Sequence, residues 1–132
     1  MKRFFVLIVA VALVLFGLAT APAYAFNPAD LTKLQSTNQC KDCDLSGATL
    51  TGVNLMRVDL ERANLRGADL TGANLTETDL EKADLGTANL SDVNLSGADL
   101  EKANLLGANL TGANLTNTSL EKVTMPDGSK HV

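Results

Sequence analysis

The chain contains few of the side chains that enzymes use for chemistry. Its 132 residues include one histidine, two cysteines, one tyrosine and no tryptophan. The histidine, His131, is next to the last residue, where a catalytic base would be poorly positioned, so we expect no Ser-His-Asp triad. Together with Cys40 and Cys43 it also falls short of the four ligands of a usual zinc site. We therefore expect no enzyme activity and no metal site of this kind.

Clusters of basic residues are also missing. Fifteen Asp and Glu residues outnumber eleven Lys and Arg residues, which leaves a formal net charge of −4. Nucleic-acid binding depends on basic side chains that neutralise phosphates. The glycines recur at fixed intervals and form no phosphate-binding loop between a strand and a helix. We therefore expect neither nucleic acid nor a cofactor as a ligand.

The N-terminal segment has the pattern of an export signal. Residues 1–3 are basic at two positions, residues 4–18 are apolar, and residues 23–25 (AYA) match a small-x-small cleavage motif. The pattern predicts a signal peptide over residues 1–25, cut before Phe26. A retained anchor is the alternative, although the apolar run is shorter than the roughly 18–20 residues that span a bilayer. Cleavage removes two basic residues, changes the net charge from −4 to −6, and leaves no expected membrane contact.

What the chain has in abundance is leucine at every fifth position. Sixteen leucines follow at this spacing from Leu45 to Leu120. Five residues advance an α-helix by roughly 500°, so these leucines would spiral around a helix. In a flat strand, alternate leucines would face opposite sides. The spacing works if the chain turns a corner once per repeat, and it therefore predicts a stacked coil, an all-β solenoid.

The residues around the leucines indicate how many sides the coil has. A small or β-branched residue stands two positions before each leucine, Asn or Asp usually precedes it, and glycine is frequent two positions after it, where tight turns need a positive φ. Glu-Lys or Glu-Arg pairs recur every twenty residues, as do four asparagines from Asn54 to Asn114. This second period predicts four sides per turn over residues 40–125. We interpret the asparagine column as structural, because stacked amides can hydrogen-bond along the coil.

With these features the sequence resembles the pentapeptide repeat proteins. The resemblance covers roughly residues 43–124 and rests on runs such as ANLRGADLTGANL; the segment CKDCDLSGA is similar to the start of the coil in small exported members from cyanobacteria. The resemblance implies a right-handed quadrilateral β-helix, located after export in the periplasm or the thylakoid lumen. Some family members protect DNA gyrase by mimicking nucleic acid, but a signal peptide would separate this chain from cytoplasmic gyrase. Most members have no assigned activity.

The N-terminal end of such a coil leaves strand edges open, which invites association. Asn27 and Pro28 fit an N-cap followed by the first helical residue, and Asp30 suits the first turn of a helix. The sequence predicts a short capping α-helix at about residues 28–36, within an N-terminal segment that covers residues 26–39.

The C-terminal end has weaker signals. A Pro-Asp-Gly turn after Met125 ends the ladder, and residues 126–132 form a tail that we expect to fray. The alternative is that the open C-terminal edge is a surface for a dimer or another partner. We accordingly expect a monomer, or a weak dimer formed through this edge.

The cysteines are the one pair of potentially reactive side chains. An even number of cysteines in an exported chain suggests a disulfide. Cys40 lies five residues before Leu45 and Cys43 two before it, so both fit inward positions. We favour a structural disulfide at the first corner. Two buried thiols and a redox Cys-x-x-Cys pair are the alternatives, although a redox pair would prefer a helix N-terminus, which lowers the pKa of a thiol.

Paired carboxylates stand on one predicted side of the coil. In each pair an aspartate precedes an inward leucine and a glutamate follows it, so both point outward, and a basic residue occupies the next corner. This charged side, the candidate interaction face, consists of Asp59, Glu61, Arg62, Asp79, Glu81, Lys82, Asp99, Glu101 and Lys102. The simplest interpretation is a solvated, charge-compensated surface. A docking face and a weak Ca²⁺ site are the alternatives, since carboxylate oxygens suit hard cations.

The function that these observations favour is a non-catalytic structural or protein-interaction module, an exported rod with an unknown protein partner. A thiol-disulfide redox protein that uses Cys40 and Cys43 is one alternative. A weak cation-binding protein that uses the charged side is the other.

Overall fold

The computed structural model describes residues 26–132, and the predicted signal peptide lies outside the described residues. Parallel backbone bridges join each residue before Cys40 or before an inward leucine to the residue twenty positions later, from Gln39–Asp59 to Asn104–Thr124. Each bridge is a single residue long, because a corner follows two residues further on. Four pentapeptides therefore complete one turn, as the twenty-residue period predicts.

The same backbone hydrogen bonds repeat on every side of the coil. On the Leu65 side, the N–H of Leu65 donates to the carbonyl of Asp84 at 2.7 Å, and the N–H of Asn64 donates to the carbonyl of Cys43 at 2.8 Å. The corner that follows is closed by the N–H of Ala68, which donates to the carbonyl of Leu65 at 3.0 Å. Successive turns are thus held together as neighbouring strands of a sheet are.

Leucine side chains fill the axis of the coil. Every ladder leucine from Leu45 to Leu105 is at most 2% exposed, and the small residues two positions before them are buried beside them. One of these small residues is Thr78, whose buried hydroxyl donates to the carbonyl of Leu55 at 2.7 Å. In the last turn Val123 is buried, but the residues at the ladder positions are only partly buried: Leu110, Leu115, Leu120 and Met125. The core is therefore closed along most of its length and opens at the C-terminal end.

A single helix, α1, spans Pro28–Thr37 in the part of the chain that the structure describes. Asn27 caps it, because its side-chain oxygen accepts from the N–H of Ala29 at 2.9 Å. Asn38 ends it in the left-handed conformation, with φ of 57°. No helix within residues 26–132 is long and apolar enough to cross a bilayer.

Helix α1 lies against the first turn of the coil. Leu31 and Leu34 are buried in the same core as the ladder leucines. The N–H of Asn27 donates to the carbonyl of Asp44 at 2.9 Å, and the N–H of Asp44 donates to the carboxylate of Asp30 at 2.7 Å. The helix segment therefore occupies both backbone groups of Asp44. That it protects this end from association stays a prediction.

The C-terminal tail pairs with the coil, so the expectation that it frays is wrong. Thr124 and Lys130 form an antiparallel bridge, in which the N–H of His131 donates to the carbonyl of Val123 at 2.9 Å. Asp127 stabilises the intervening turn, because its carboxylate accepts from the backbone N–H of Ser129 at 2.9 Å and from its hydroxyl at 2.7 Å. We call residues 123–131 the C-terminal hairpin. Its second strand pairs with the free backbone edge of the Thr124 side, and that edge exists only once the coil has formed.

Truncation of a ladder leucine should cost more stability in the middle of the coil than at its open end. Leu75 and Leu115 lie on the same side two turns apart, and Leu75 is fully buried whereas Leu115 is partly exposed. We expect Leu75→Ala to lower the free energy of unfolding by about 2–5 kcal/mol, because it leaves a closed cavity. Leu115→Ala should lower it by clearly less. Urea denaturation followed by circular dichroism measures both, and equal losses would contradict the description of an open last turn.

Candidate functional site

The aspartates of the charged side stabilise its corners. The carboxylate of Asp79 accepts from the N–H of Glu81 at 3.0 Å, and Asp99 accepts in the same way from Glu101 at 2.9 Å. On another side, the amide oxygen of Asn74 accepts from the N–H of Thr76 at 3.1 Å. Asn and Asp therefore precede leucine because their side chains close the turn two residues on. The sequence shows this preference, and the pattern of an Asx turn could have identified its cause.

The asparagine column is a structural feature, as its spacing predicts. The amide of Asn74 donates to the side-chain oxygen of Asn54 at 3.3 Å, and that of Asn114 donates to Asn94 at 3.2 Å. The accepting oxygens also receive the turn N–H groups of Met56 and Ser96. These side chains thus link both the corners and the successive turns.

The structure brings the nine residues of the charged side together on one side of the coil and its following corner. The aspartates stack through the bridges Asp59–Asp79 and Asp79–Asp99. Each glutamate forms an ion pair with the basic residue that follows it, at 2.7 Å for Glu81–Lys82 and 2.5 Å for Glu101–Lys102. The face therefore consists of a row of acids beside a row of bases, with most charges compensated locally.

Ion pairing changes the pKa values of several groups on this side. A hydrogen bond from Lys82 lowers the pKa of Glu81, and a hydrogen bond to Glu101 raises the pKa of Lys102. Arg62 binds the carboxylate of Asp42, one turn below, through Nε at 2.7 Å and Nη2 at 2.9 Å. This two-pronged contact lowers the pKa of Asp42. Arg62 also pairs with Glu61, so it joins two turns of the coil.

The basic residues of this side occupy left-handed corners. The backbone φ is 59° at Arg62, 60° at Lys82, 61° at Lys102 and 58° at Lys122. This conformation costs an ordinary residue roughly 1–2 kcal/mol, a cost that glycine avoids. The four residues are the cationic corner. Glycine is frequent at the equivalent position of the other sides, although residues such as Glu77 and Asp92 are left-handed there as well. The repeated basic residue distinguishes this corner.

Three carboxylates of the charged side can each place an oxygen within 4.8 Å of the others: those of Asp59, Glu61 and Asp79. The aspartates already accept turn N–H groups, and Glu61 pairs with Lys41 at 2.5 Å and with Arg62. Calcium takes six to eight oxygen ligands, typically from several unpaired groups. The residues present therefore do not fit a tight Ca²⁺ site.

The two cysteines form a disulfide at the first corner of the coil. The Cys40–Cys43 S–S distance is 2.14 Å and the Cα atoms are 5.1 Å apart. Cys40 is 0% exposed and Cys43 is 2% exposed. The Sγ atom of Cys40 lies 3.2 Å from the carbonyl oxygen of Asp30 in α1. A bridged sulfur has no proton to donate, so this is a packing contact that places the disulfide directly beneath the helix.

Comparison with known proteins gives a family match and several similar structures. The chain matches the family model for pentapeptide repeats over residues 39–76, 54–90 and 88–125. It is similar to the crystal structure of HetL, a pentapeptide repeat protein involved in the regulation of heterocyst differentiation in the cyanobacterium Nostoc, with 45% identity and a TM-score of 0.63. That similarity covers 65% of this chain and 40% of HetL, so the chain spans less than half of the HetL length.

Two further structures cover more of both chains. A second pentapeptide repeat protein from Nostoc is 38% identical with a TM-score of 0.52, and the similarity covers 74% of this chain and 78% of that protein. A pentapeptide repeat protein from the cyanobacterium Cyanothece is 32% identical with a TM-score of 0.54, over 79% of this chain and 98% of that protein. A comparison with curated protein sequences gives no match.

The titration of Glu81 should report its ion pair. We expect its carboxyl group to titrate below the ordinary pKa of 4.5, because Lys82 stabilises the charged form. A lowered pKa means that the ion pair contributes to stability above pH 4.5 and that this contribution is lost as the pH falls through the folded-state value. NMR titration of the side-chain carboxyl measures the shift. Lys82→Met should move the midpoint upward and Lys122→Met should leave it unchanged; identical midpoints in all three proteins would contradict the pairing.

The buried disulfide should resist reduction while the protein is folded. Thiol-disulfide exchange requires that a thiolate reach a sulfur atom, and both sulfurs are covered by α1 and the first turn. We expect dithiothreitol to leave the disulfide intact in buffer and to reduce it rapidly in denaturant, as measured by alkylation and mass spectrometry. Equally fast reduction in buffer would identify an accessible redox pair.

Proposed function

Because the chain belongs to the pentapeptide repeat family, whose members form right-handed quadrilateral β-helices, we propose that it is a non-catalytic module that binds a protein partner. The partner contacts the charged side. The protein acts after export, in the periplasm or the thylakoid lumen. Residues 1–25 are the signal peptide, residues 26–39 cap the coil, residues 40–125 form it, and residues 126–132 end it.

The observation that carries the proposal is the cationic corner. On the next side glycine stands at the left-handed position in three turns, at Gly47, Gly67 and Gly107, where the backbone conformation costs little, and Thr87 stands there in the fourth. On the charged side, four consecutive turns place Arg or Lys at this position. Exposed ion pairs contribute little stability, so the pairs with glutamate do not account for a repeated backbone cost. Strain retained at the same position in successive turns favours a role in recognition.

The absence of a catalytic role is proposed from how the reactive groups are engaged. The aspartates of the charged side accept turn N–H groups, and its glutamates are held in ion pairs. The cysteines are joined in a buried disulfide. His131 lies in the C-terminal hairpin and is exposed, without the buried neighbours that position a catalytic base.

The charged side suits a partner whose charges match its two rows. Successive turns repeat each charge at about the spacing of neighbouring strands, 4.8 Å. A partner surface that places basic groups over the glutamates and acidic groups over the cationic corner would pair with both rows. Complementarity of this kind supplies specificity and fast association more than affinity.

A crosslinking experiment in the native compartment tests the proposal. A photo-crosslinking amino acid is placed at Glu101 on the charged side or at Ser91 on the opposite side, and crosslinked proteins are identified by mass spectrometry. We expect one reproducible partner from position 101 and none from position 91. The pair Lys82→Gly and Lys102→Gly, added to the position 101 protein, should abolish the crosslink because it removes two charges from the contact.

Glycine is the appropriate replacement because it relieves the left-handed backbone. The double variant should therefore unfold at the same or a higher urea concentration than the wild type, which separates loss of binding from loss of fold. Thr87→Gly is the matched control, since Thr87 has φ of 57° on another side and carries no charge. The proposal fails if position 101 yields no reproducible partner, or if Thr87→Gly weakens the crosslink as much as the lysine replacements do.

A further inference from the structure

We propose that the protein forms a twofold dimer in which the C-terminal hairpin of each copy adds to the open end of the other. The charged side stays exposed in this arrangement, so the dimer does not depend on the proposed function. The interface uses the last turn of the coil and the outer edge of the hairpin.

The last turn presents unpaired backbone groups on three sides. In earlier turns two N–H groups on each side donate to the following turn, and within residues 26–132 the six equivalent groups of the last turn have no backbone acceptor: those of Leu110, Gly112, Leu115, Asn117, Leu120 and Lys122. The three carbonyls of this turn that would accept from a following turn also have no backbone donor: those of Ala108, Ala113 and Thr118. On the fourth side the hairpin supplies partners, because Val123 accepts from His131. The three free sides are the C-terminal edge.

On its Leu110 and Leu115 sides this edge lacks the devices that usually prevent strand addition, whereas the Leu120 side carries Glu121 and Lys122. Natural sheet edges are protected by charged residues, proline or bulges. Residues 105–120 contain no charged residue and no proline. Leu110, Leu115 and Leu120 behind the edge are only partly buried, so apolar surface lies next to the free backbone groups. The edge is therefore suited to pair with another strand.

The outer edge of the hairpin matches one side of this edge. The bonds Met125 N–H to Ser129 carbonyl and His131 N–H to Val123 carbonyl face the coil, so the N–H and carbonyl of Lys130 face away from it. The Leu115 side offers the carbonyl of Ala113 and the N–H of Leu115. A parallel bridge between Lys130 and Asn114 of a second copy would join these four groups, in the bond pattern that links Asn94 and Asn114 within the coil.

Symmetry brings both such bridges together. The Leu115 side lies opposite the Met125 side that carries the hairpin, since four sides follow one another around the turn. A twofold axis through the Leu110 and Leu120 sides places each hairpin over the Leu115 side of the other copy. The same operation makes each hairpin strand parallel to the side that it meets, as the bond pattern requires. The pairing is self-complementary and closes at two copies.

The N-terminal end of the coil is covered by a helix, so the C-terminal end of one copy meets the C-terminal end of a second copy. Helix α1 lies over the first turn and occupies both backbone groups of Asp44. A head-to-tail contact would have to displace the buried Leu31 and Leu34. Association therefore stops at a dimer and does not continue into a filament.

Crosslinking between the bridge residues tests this arrangement. Asn114 and Lys130 lie on opposite sides within one copy, but a bridge between copies brings their Cα atoms within the roughly 4.4–6.8 Å that a disulfide spans. Under oxidation the native protein carrying Asn114→Cys and Lys130→Cys should form a covalent dimer. Asn94→Cys with Lys130→Cys is the matched control, since Asn94 lies on the same side one turn from the edge, and it should stay monomeric. Equal crosslinking of both variants would overturn the proposal.

Proline at position 130 provides an independent test. Lys130→Pro removes the outward N–H and no backbone hydrogen bond within the chain, whereas Lys130→Ala keeps that N–H. Both variants lose the hydrogen bond from the Lys130 ammonium to the hydroxyl of Thr124, so the comparison between them isolates the N–H. Sedimentation equilibrium of the native protein should show the average mass rising with concentration towards two copies. Lys130→Pro should raise the dissociation constant of the dimer by about tenfold or more, and Lys130→Ala should change that constant little. A wild type that stays monomeric, a mass that exceeds two copies, or equal effects of the two variants would overturn the proposal.

Discussion

The structure depends on one constraint: each leucine must return to the axis five residues after the previous one. The backbone meets it by turning a left-handed corner in every repeat, and the N–H and carbonyl groups between corners then face the turns above and below. Leucine burial and backbone pairing are therefore coupled. A buried leucine such as Leu75 contributes roughly 1.5–3 kcal/mol, and only if the chain on both sides is held in register.

The leucines and the backbone hold the coil together, so the outward side chains do not contribute to the core. Positions before and after each leucine point outward, and their identity is limited mainly by the corner. Asx residues such as Asp79 satisfy that limit with a side-chain hydrogen bond, and glycine such as Gly67 satisfies it with a positive φ. Lys82 and its equivalents do not satisfy it without cost. Left-handed residues other than glycine occur on every side, for example Glu77, Thr87 and Asp92, but only the charged side places a basic residue there in four consecutive turns.

The ends differ because one is covered and the other is not. Helix α1 buries Leu31 and Leu34 against the first turn and pairs with Asp44, so it covers the N-terminal end of the core. At the other end the ladder stops at a turn, and the hairpin covers one side of four. The rod thus has a polarity that the uniform repeat does not suggest.

Much of the architecture was predictable because it is a property of spacing along the chain. The intervals of five and twenty residues determined the side on which Leu65, Asn74 or Glu81 lies. The N-cap signals at Asn27 and Pro28 identified the start of α1, and its predicted end lies one residue before the observed end. The tail could not be predicted in this way, because residues 126–132 carry no periodic pattern. Their partner is the Thr124 side, whose free edge exists only after the coil has formed.

The charged side shows the same division between sequence and tertiary structure. The sequence by itself determined which acids and bases share a side, because register follows from counting. Only the tertiary structure decided how they interact: Arg62 reaches Asp42 across a turn, Glu61 pairs with two bases, and the cationic corner stands in a strained conformation. Those features depend on distances between turns and on backbone angles, which packing of the whole coil establishes and which no local pattern contains.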